Sequence, residues 1–163
     1  MTLSDWFQNQ LRSTADGFIW AAEQMPPERR YIQPPSKLGG WTAARHVFHM
    51  AYYERNVALP SMHQWLGKPR ISEDDLDADK EWSSGHTIES LVRTFQVVRN
   101  EQIALLTQFD EPVWHETRET GWGTVTLLWV VSKTFQHTAE HTNNVMRMAL
   151  FWDIAAAQER GAE

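Results

Sequence analysis

The segment His137-Thr138-Ala139-Glu140-His141 places two imidazoles four residues apart. On a helix that spacing leaves them about 40° apart around the axis and one turn apart along it, so both point the same way. By the same count Val130, Val145 and Met148 share their face, which directs the pair toward an apolar interior. Two neutral imidazoles there need partners, because a buried ring nitrogen without one costs free energy. A metal ion satisfies both at once. A hydrogen-bonded polar cluster without metal is the structural alternative.

A second segment, Arg45-His46-Val47-Phe48-His49, carries two more histidines. Val47, Phe48, Met50, Ala51, Tyr52, Tyr53 and Val57 surround this helix almost completely, so it is expected to be largely buried. His49 and Tyr53 form an i, i+4 pair, and His46 lies about 60° from His49. A third imidazole from this segment would complete a three-histidine set. Catalytic metal sites commonly use three protein ligands and keep a position for water or substrate. His63, His86 and His115 fall in or near joints and are expected to be exposed.

Residues 137–141 also spell H-x-x-E-H, the inverted zinc-protease signature, with Glu140 as base. A third ligand would have to follow downstream, where Asp153, Glu159 and Glu163 are the only carboxylates. That shortage disfavours a protease.

Composition narrows the chemistry further. There are no cysteines, which removes disulfides, thiolate metal sites and a cysteine nucleophile. Any metal is therefore held by imidazole and oxygen. The chain has 163 residues, suited to a single domain spanning 1–163. Its 15 basic residues are scattered and outnumbered by 21 acidic ones, for a formal charge of −6, a balance that disfavours nucleic acid as a partner. No apolar run approaches the roughly 20 residues of a membrane span. The start, Met-Thr-Leu-Ser-Asp-Trp, lacks the basic and apolar regions of a signal peptide, so a cytoplasmic location is expected. Nine tryptophans are expected to be mostly core or pocket lining.

Four long helices must position the histidines. Apolar spacing predicts the first over Leu3 to Gln24, ended by Pro26-Pro27. The second begins near Trp41, with Thr42 as N-cap, and runs to about Leu59, where Pro60 kinks it or opens a turn. Gly67 to Gly85, with the acidic run Glu73-Asp74-Asp75, reads as a solvated crossover. The third helix follows the cap Thr87 and continues to Phe109. Gly121-Trp122-Gly123-Thr124 turns the chain into a fourth helix from about Val125 to Phe151, with a short helix over Asp153 to about Gln158 after it. No strand is expected. The fold class is all-α, a four-helix bundle with a long crossover connection between helices 2 and 3.

At these residues the chain resembles the DinB/YfiT-like superfamily. Gly40-Trp41-Thr42, His49 eight residues after the tryptophan and Glu54 five further on are similar to that family's second helix. His137 and His141, followed by Asn144-Val145-Met146, resemble its last bundle helix, and Met25-Pro26-Pro27-Glu28 with Pro34-Pro35 matches its first joint. The resemblance spans the chain to about Phe151. It implies His49, His137 and His141 as ligands of a divalent ion such as zinc or nickel, with His46 outside the set. It also implies a frequent homodimer, and in some members a low-molecular-weight thiol cosubstrate. Thr142-Asn143 stands where the family often has an arginine-glycine pair, so a specific activity does not transfer.

The expected function is thus a metal-dependent enzyme, of the thiol-dependent S-transferase or hydrolase type, acting on a small molecule. The alternative is a non-catalytic metal- or small-ligand-binding bundle in a stress response. Tyr53 and Glu54, close to His49 in sequence, are the catalytic candidates, although Glu54 lies about 140° around the helix from His49. Arg45 and Arg147 are further polar candidates at the pocket mouth.

Overall fold

The computed structural model describes residues 1–70, 72, 76–83 and 85–161. The acidic run Glu73-Asp74-Asp75 and the residue Glu163 lie outside these. The described chain is mostly helical. Threonines cap all four of its longest helices, each hydroxyl accepting a bond from a backbone N–H that the helix leaves unpaired. Thr2 opens α1 (Leu3–Gln24) in a capping box with Asp5. Thr42 opens α2 (Ala43–Tyr53), accepting from Arg45 N–H at 3.1 Å.

The second helix does not stop at Tyr53. It widens into a π-turn over Glu54–Ala58, in which the N–H of Leu59 reaches back to Glu54 O. The chain then continues as α3 (Leu59–His63) and a 3-10 turn, Gln64–Leu66. Pro60 falls in the first turn of α3, where its missing N–H is tolerated. Gly67, at φ 79°, ends the run in the left-handed region. A short helix, α4 (Ala78–Glu81), is capped by Asp77. Thr87 caps α5 (Ile88–Leu106), and Thr126 caps α6 (Leu127–Arg160).

Helix α1 packs on α5 and α6, and α2 packs on the same two helices. The buried residues Phe7, Leu11, Ala15, Phe18 and Ala22 form the inner stripe of α1 at helical spacing. The core falls into two apolar clusters. One gathers around Phe18, Met50, Phe95, Val145 and Met148, the other around Phe7, Leu11, Trp114, Leu127 and Val130. Along α6 the buried polar residues Thr134, Thr138 and His141 come between Val131 and Val145. The structure therefore carries a polar layer across its middle.

Two expectations are corrected. Residues 117–126 form an antiparallel hairpin, β1 (Thr117–Thr120) with β2 (Gly123–Thr126), where no strand was expected. Its strands are rich in β-branched residues, and Gly123 takes φ 90° at the turn, which a side chain would strain. The fourth helix begins at Leu127 and runs unbroken to Arg160, absorbing the separate terminal helix. Residues 149–160 hold no glycine or proline, and Asp153 is anchored by Arg29 at 2.7 Å. Most tryptophans are core or cleft-lining, as expected: Trp65 and Trp114 are buried, Trp82, Trp122 and Trp152 pack on the core, and Trp41 lines a surface cleft, while Trp6, Trp20 and Trp129 are exposed. No helix among the described residues is long and apolar enough to cross a membrane.

Candidate metal centre

Helix α6 presents His137 and His141, and α2 presents His49, into the polar layer. One ligand nitrogen from each of these three rings lies within 4.8 Å of the others. His141 is buried, and His49 and His137 are half-buried. His49 Nε2 and His137 Nε2 stand 3.2 Å apart. Two imidazole nitrogens on one tetrahedral ion, each about 2.0–2.1 Å from it, would stand roughly 3.3 Å apart. The spacing thus fits a shared ion. His137 Nδ1 is buried without a partner among the described residues, so hydrogen bonding alone leaves this ring half satisfied in either tautomer.

His46 faces His141 through the Nδ1 atoms at 2.8 Å. A neutral imidazole carries one N–H. If His141 donates Nδ1–H to His46, its Nε2 lone pair is left for the centre, the arrangement by which outer partners orient metal ligands. His46 is buried yet stands outside the three-histidine group.

Burial favours the uncharged ring in all four. It lowers His141 to about 2, reinforced by His137, and His137 to about 3, reinforced by His49. It lowers His46 to about 4, again with His49 adding to the effect. Burial also lowers His49, with Arg45 acting the same way and Asp79 and Glu140 against it. Near neutral pH these imidazoles keep their lone pairs, the form a metal requires.

Aromatic rings wall the group. Trp41 packs on His49 at 5.0 Å and on His46 at 5.4 Å between centroids. Tyr53 stands edge-on to His137 at 4.3 Å, one helical turn beyond His49. The hairpin turn brings Trp122 to 6.3 Å from Tyr53. A cavity of about 530 Å³ opens beside His46 and His141, with Trp41, Glu140, Asn144 and Arg147 in its wall, a size suited to a small molecule.

Glu54 takes a different place. Its side chain is fully buried, and its carboxylate accepts from Arg99 Nη2 at 2.7 Å. Arg99 also donates to Thr138 Oγ1 at 2.7 Å and to Leu11 O at 3.2 Å. Burial pushes the Glu54 carboxyl up, and the Arg99 guanidinium opposes that shift. This network ties the π-turn, α1 and α5 to the residue beside His137.

The protease signature finds no downstream third ligand among the described residues. Glu140 is exposed and accepts from Gln136, Asp153 pairs with Arg29, and Glu159 accepts from Ser36. His115 is exposed, while His63 and His86 are half-buried and stand apart from the group. Sequence reasoning missed His46 as a partner of His141, and Arg99 entirely, and read Trp122 only as part of a turn.

No curated protein matches the chain. The DinB superfamily matches it over residues 10–145, a stretch that holds all three clustered histidines, the π-turn and the hairpin. The chain belongs to the DinB superfamily.

Proposed function

We propose that this protein is a metal-dependent enzyme of the thiol-dependent S-transferase or hydrolase type, holding one divalent ion, zinc or nickel, on His49, His137 and His141. The observation that carries this reading is the convergence of three imidazole nitrogens from two helices within 4.8 Å. Bound there, the ion would supply Lewis acidity, lowering the pKa of a thiol or water at a position the three histidines leave open.

The chain's own residues do the rest. His46 holds the His141 ring by its Nδ1. Trp41, Tyr53 and Trp122 keep water from one side and offer flat faces to a small substrate. Glu54 acts as a positioning residue, through Arg99 and Thr138 on the α6 turn that carries His137. Leu150, Phe151 and Ile154, exposed on α6, support a homodimer as part of this reading, and a cytoplasmic location completes it.

One observation favours the non-catalytic alternative. Among the described residues no carboxylate joins the three-histidine group, and Glu54 is committed to Arg99. Elemental mass spectrometry of the untagged protein is the first test. About one equivalent of metal is expected in the wild type, lost in His49→Ala and His141→Ala, since three protein ligands hold the ion. No uptake of zinc or nickel would end the metal reading. Metal-dependent turnover of a low-molecular-weight thiol with a chlorinated nitroaromatic would then support the enzyme, and tight metal binding without turnover across several thiols and esters would support the binding module.

A further inference from the structure

We propose that Arg45 is a carboxylate-binding residue of this site, so that its substrate is a small organic acid. The proposal rests on the reading of the three-histidine group as the reacting centre. Arg45 and His49 are four residues apart on α2, on one face, with Cβ atoms about 5–6 Å apart. Arg45, His49 and Tyr53 thus follow one another along a single edge, and Trp41, just ahead of the helix, packs on the first two. A ligand lying on that edge would set one end at the histidines and the other at the guanidinium, about one helical turn away.

The surroundings of Arg45 are those of a prepared anion site. Its side chain is only 9% exposed. The guanidinium carbon lies 5.4 Å from the Trp41 ring, 5.4 Å from Phe48 and 5.3 Å from Trp82. Three aromatic walls fix the fork and strip it of water, which strengthens its pull on an anion. Its Nη2 donates to Asp79. Its Nη1 is buried with no partner among the described residues. Arg99, the other buried arginine, has both terminal nitrogens partnered inside the protein. A guanidinium with one nitrogen paired and the other without a partner among the described residues has half of the geometry that a carboxylate completes with two parallel bonds.

Space is present on the same side. Arg45 lines a cavity of about 340 Å³ with Tyr31, Gln33, Trp41 and Thr42. Gly40 and Trp41 line both this cavity and the larger one that reaches His46 and His141, so the indole is a shared wall. Asp79 has the character of an internal stand-in. Its side chain is 89% exposed, and it is carried on α4, a helix of four residues. Such a carboxylate is held by little besides Arg45, and a ligand carboxylate can replace it without breaking the core. Arg45 and Asp79 also act in opposite senses on His49, which places both within electrostatic reach of the centre. A dication there would add to the positive field of Arg45, and an anionic ligand is the species that field selects.

The test is a binding titration of zinc-loaded and of metal-free protein with benzoate and with its neutral isostere benzamide, read by tryptophan fluorescence and calorimetry. Trp41 and Trp82 flank the fork and report on it. Benzoate is expected to bind roughly tenfold or more tightly than benzamide in the wild type, and Arg45→Met to abolish that preference, as the loss of a charge-assisted bidentate pair requires. Asp79→Asn, a change at an exposed position, is expected to raise benzoate affinity severalfold by removing the competing carboxylate. A preference for benzoate that survives Arg45→Met would overturn the proposal. So would Asp79→Asn leaving benzoate affinity unchanged or lower, which decides the matter even if Arg45→Met does not fold. Because the metal-free arm reads the fork alone, a protein that takes up no zinc still tests Arg45, and the two readings fail separately.

Discussion

His46 and His141 meet through their Nδ1 atoms at 2.8 Å, and one shared proton decides which face of each ring stays basic. If it sits on His141, the Nε2 of that ring is free and aimed by the bond. His46 is then an orienting residue whose removal should weaken metal binding without abolishing it. His46→Phe keeps the ring volume and loses the acceptor, and a fall of about 10–100-fold in zinc affinity is expected, measured by competition with a chromophoric chelator. Unchanged affinity would mean that His141 needs no holding. At this scale the sequence was informative about ligands and silent about their supports. His137 and His141 declare a common face by their spacing, and His49 joins them by the family pattern. The bond from His46 depends on the relative rotation of two helices, which no local spacing encodes.

Among the elements, the π-turn Glu54–Ala58 opens on a fully buried residue, Glu54, paired with Arg99. A buried pair of this kind is costly to break from one side, because the remaining charge is stranded. Glu54→Gln is expected to lower the unfolding free energy by about 3–5 kcal/mol, read by urea denaturation of the metal-free protein. If the variant were as stable as wild type but lost turnover, Glu54 would have to touch substrate directly. The helix limits were legible where capping and proline signals are strong: α1 has the expected bounds, and Thr42 and Thr87 cap as expected. The hairpin was not, because four-residue strands offer only two cycles of alternation. The unbroken α6 was not either. Its apolar face drifts after Phe151, and what holds its last turns are partners distant in sequence, Arg29 to Asp153 and Ser36 to Glu159.

For the molecule as a whole, the polar layer makes stability depend on pH. In the unfolded chain a histidine titrates near 6.5, whereas His46, His137 and His141 in the fold are lowered to about 4, 3 and 2. Below about pH 6.5 the unfolded state therefore binds protons that the folded state refuses, so stability must fall as the pH falls. Each such histidine contributes a slope approaching about 1.4 kcal/mol per pH unit until its folded pKa is reached. Between about pH 6.5 and pH 5 ordinary carboxylates are still mostly ionised, so apart from the buried Glu54, whose carboxyl is pushed up by burial, the histidines govern this window. Urea denaturation of the chelated protein across it is expected to show a steep loss of stability, with a shallower slope in His141→Ala. Bound zinc adds stability across the window, about 2.7 kcal/mol at a hundredfold excess over its Kd, because protons compete for the ring nitrogens only near the lowered values of the folded state. The loaded protein should therefore show the same slope, displaced to higher stability. A profile flat from about pH 7 to pH 5 in both forms would mean that the rings are charged as readily folded as unfolded, which is incompatible with four imidazoles closed between two apolar clusters.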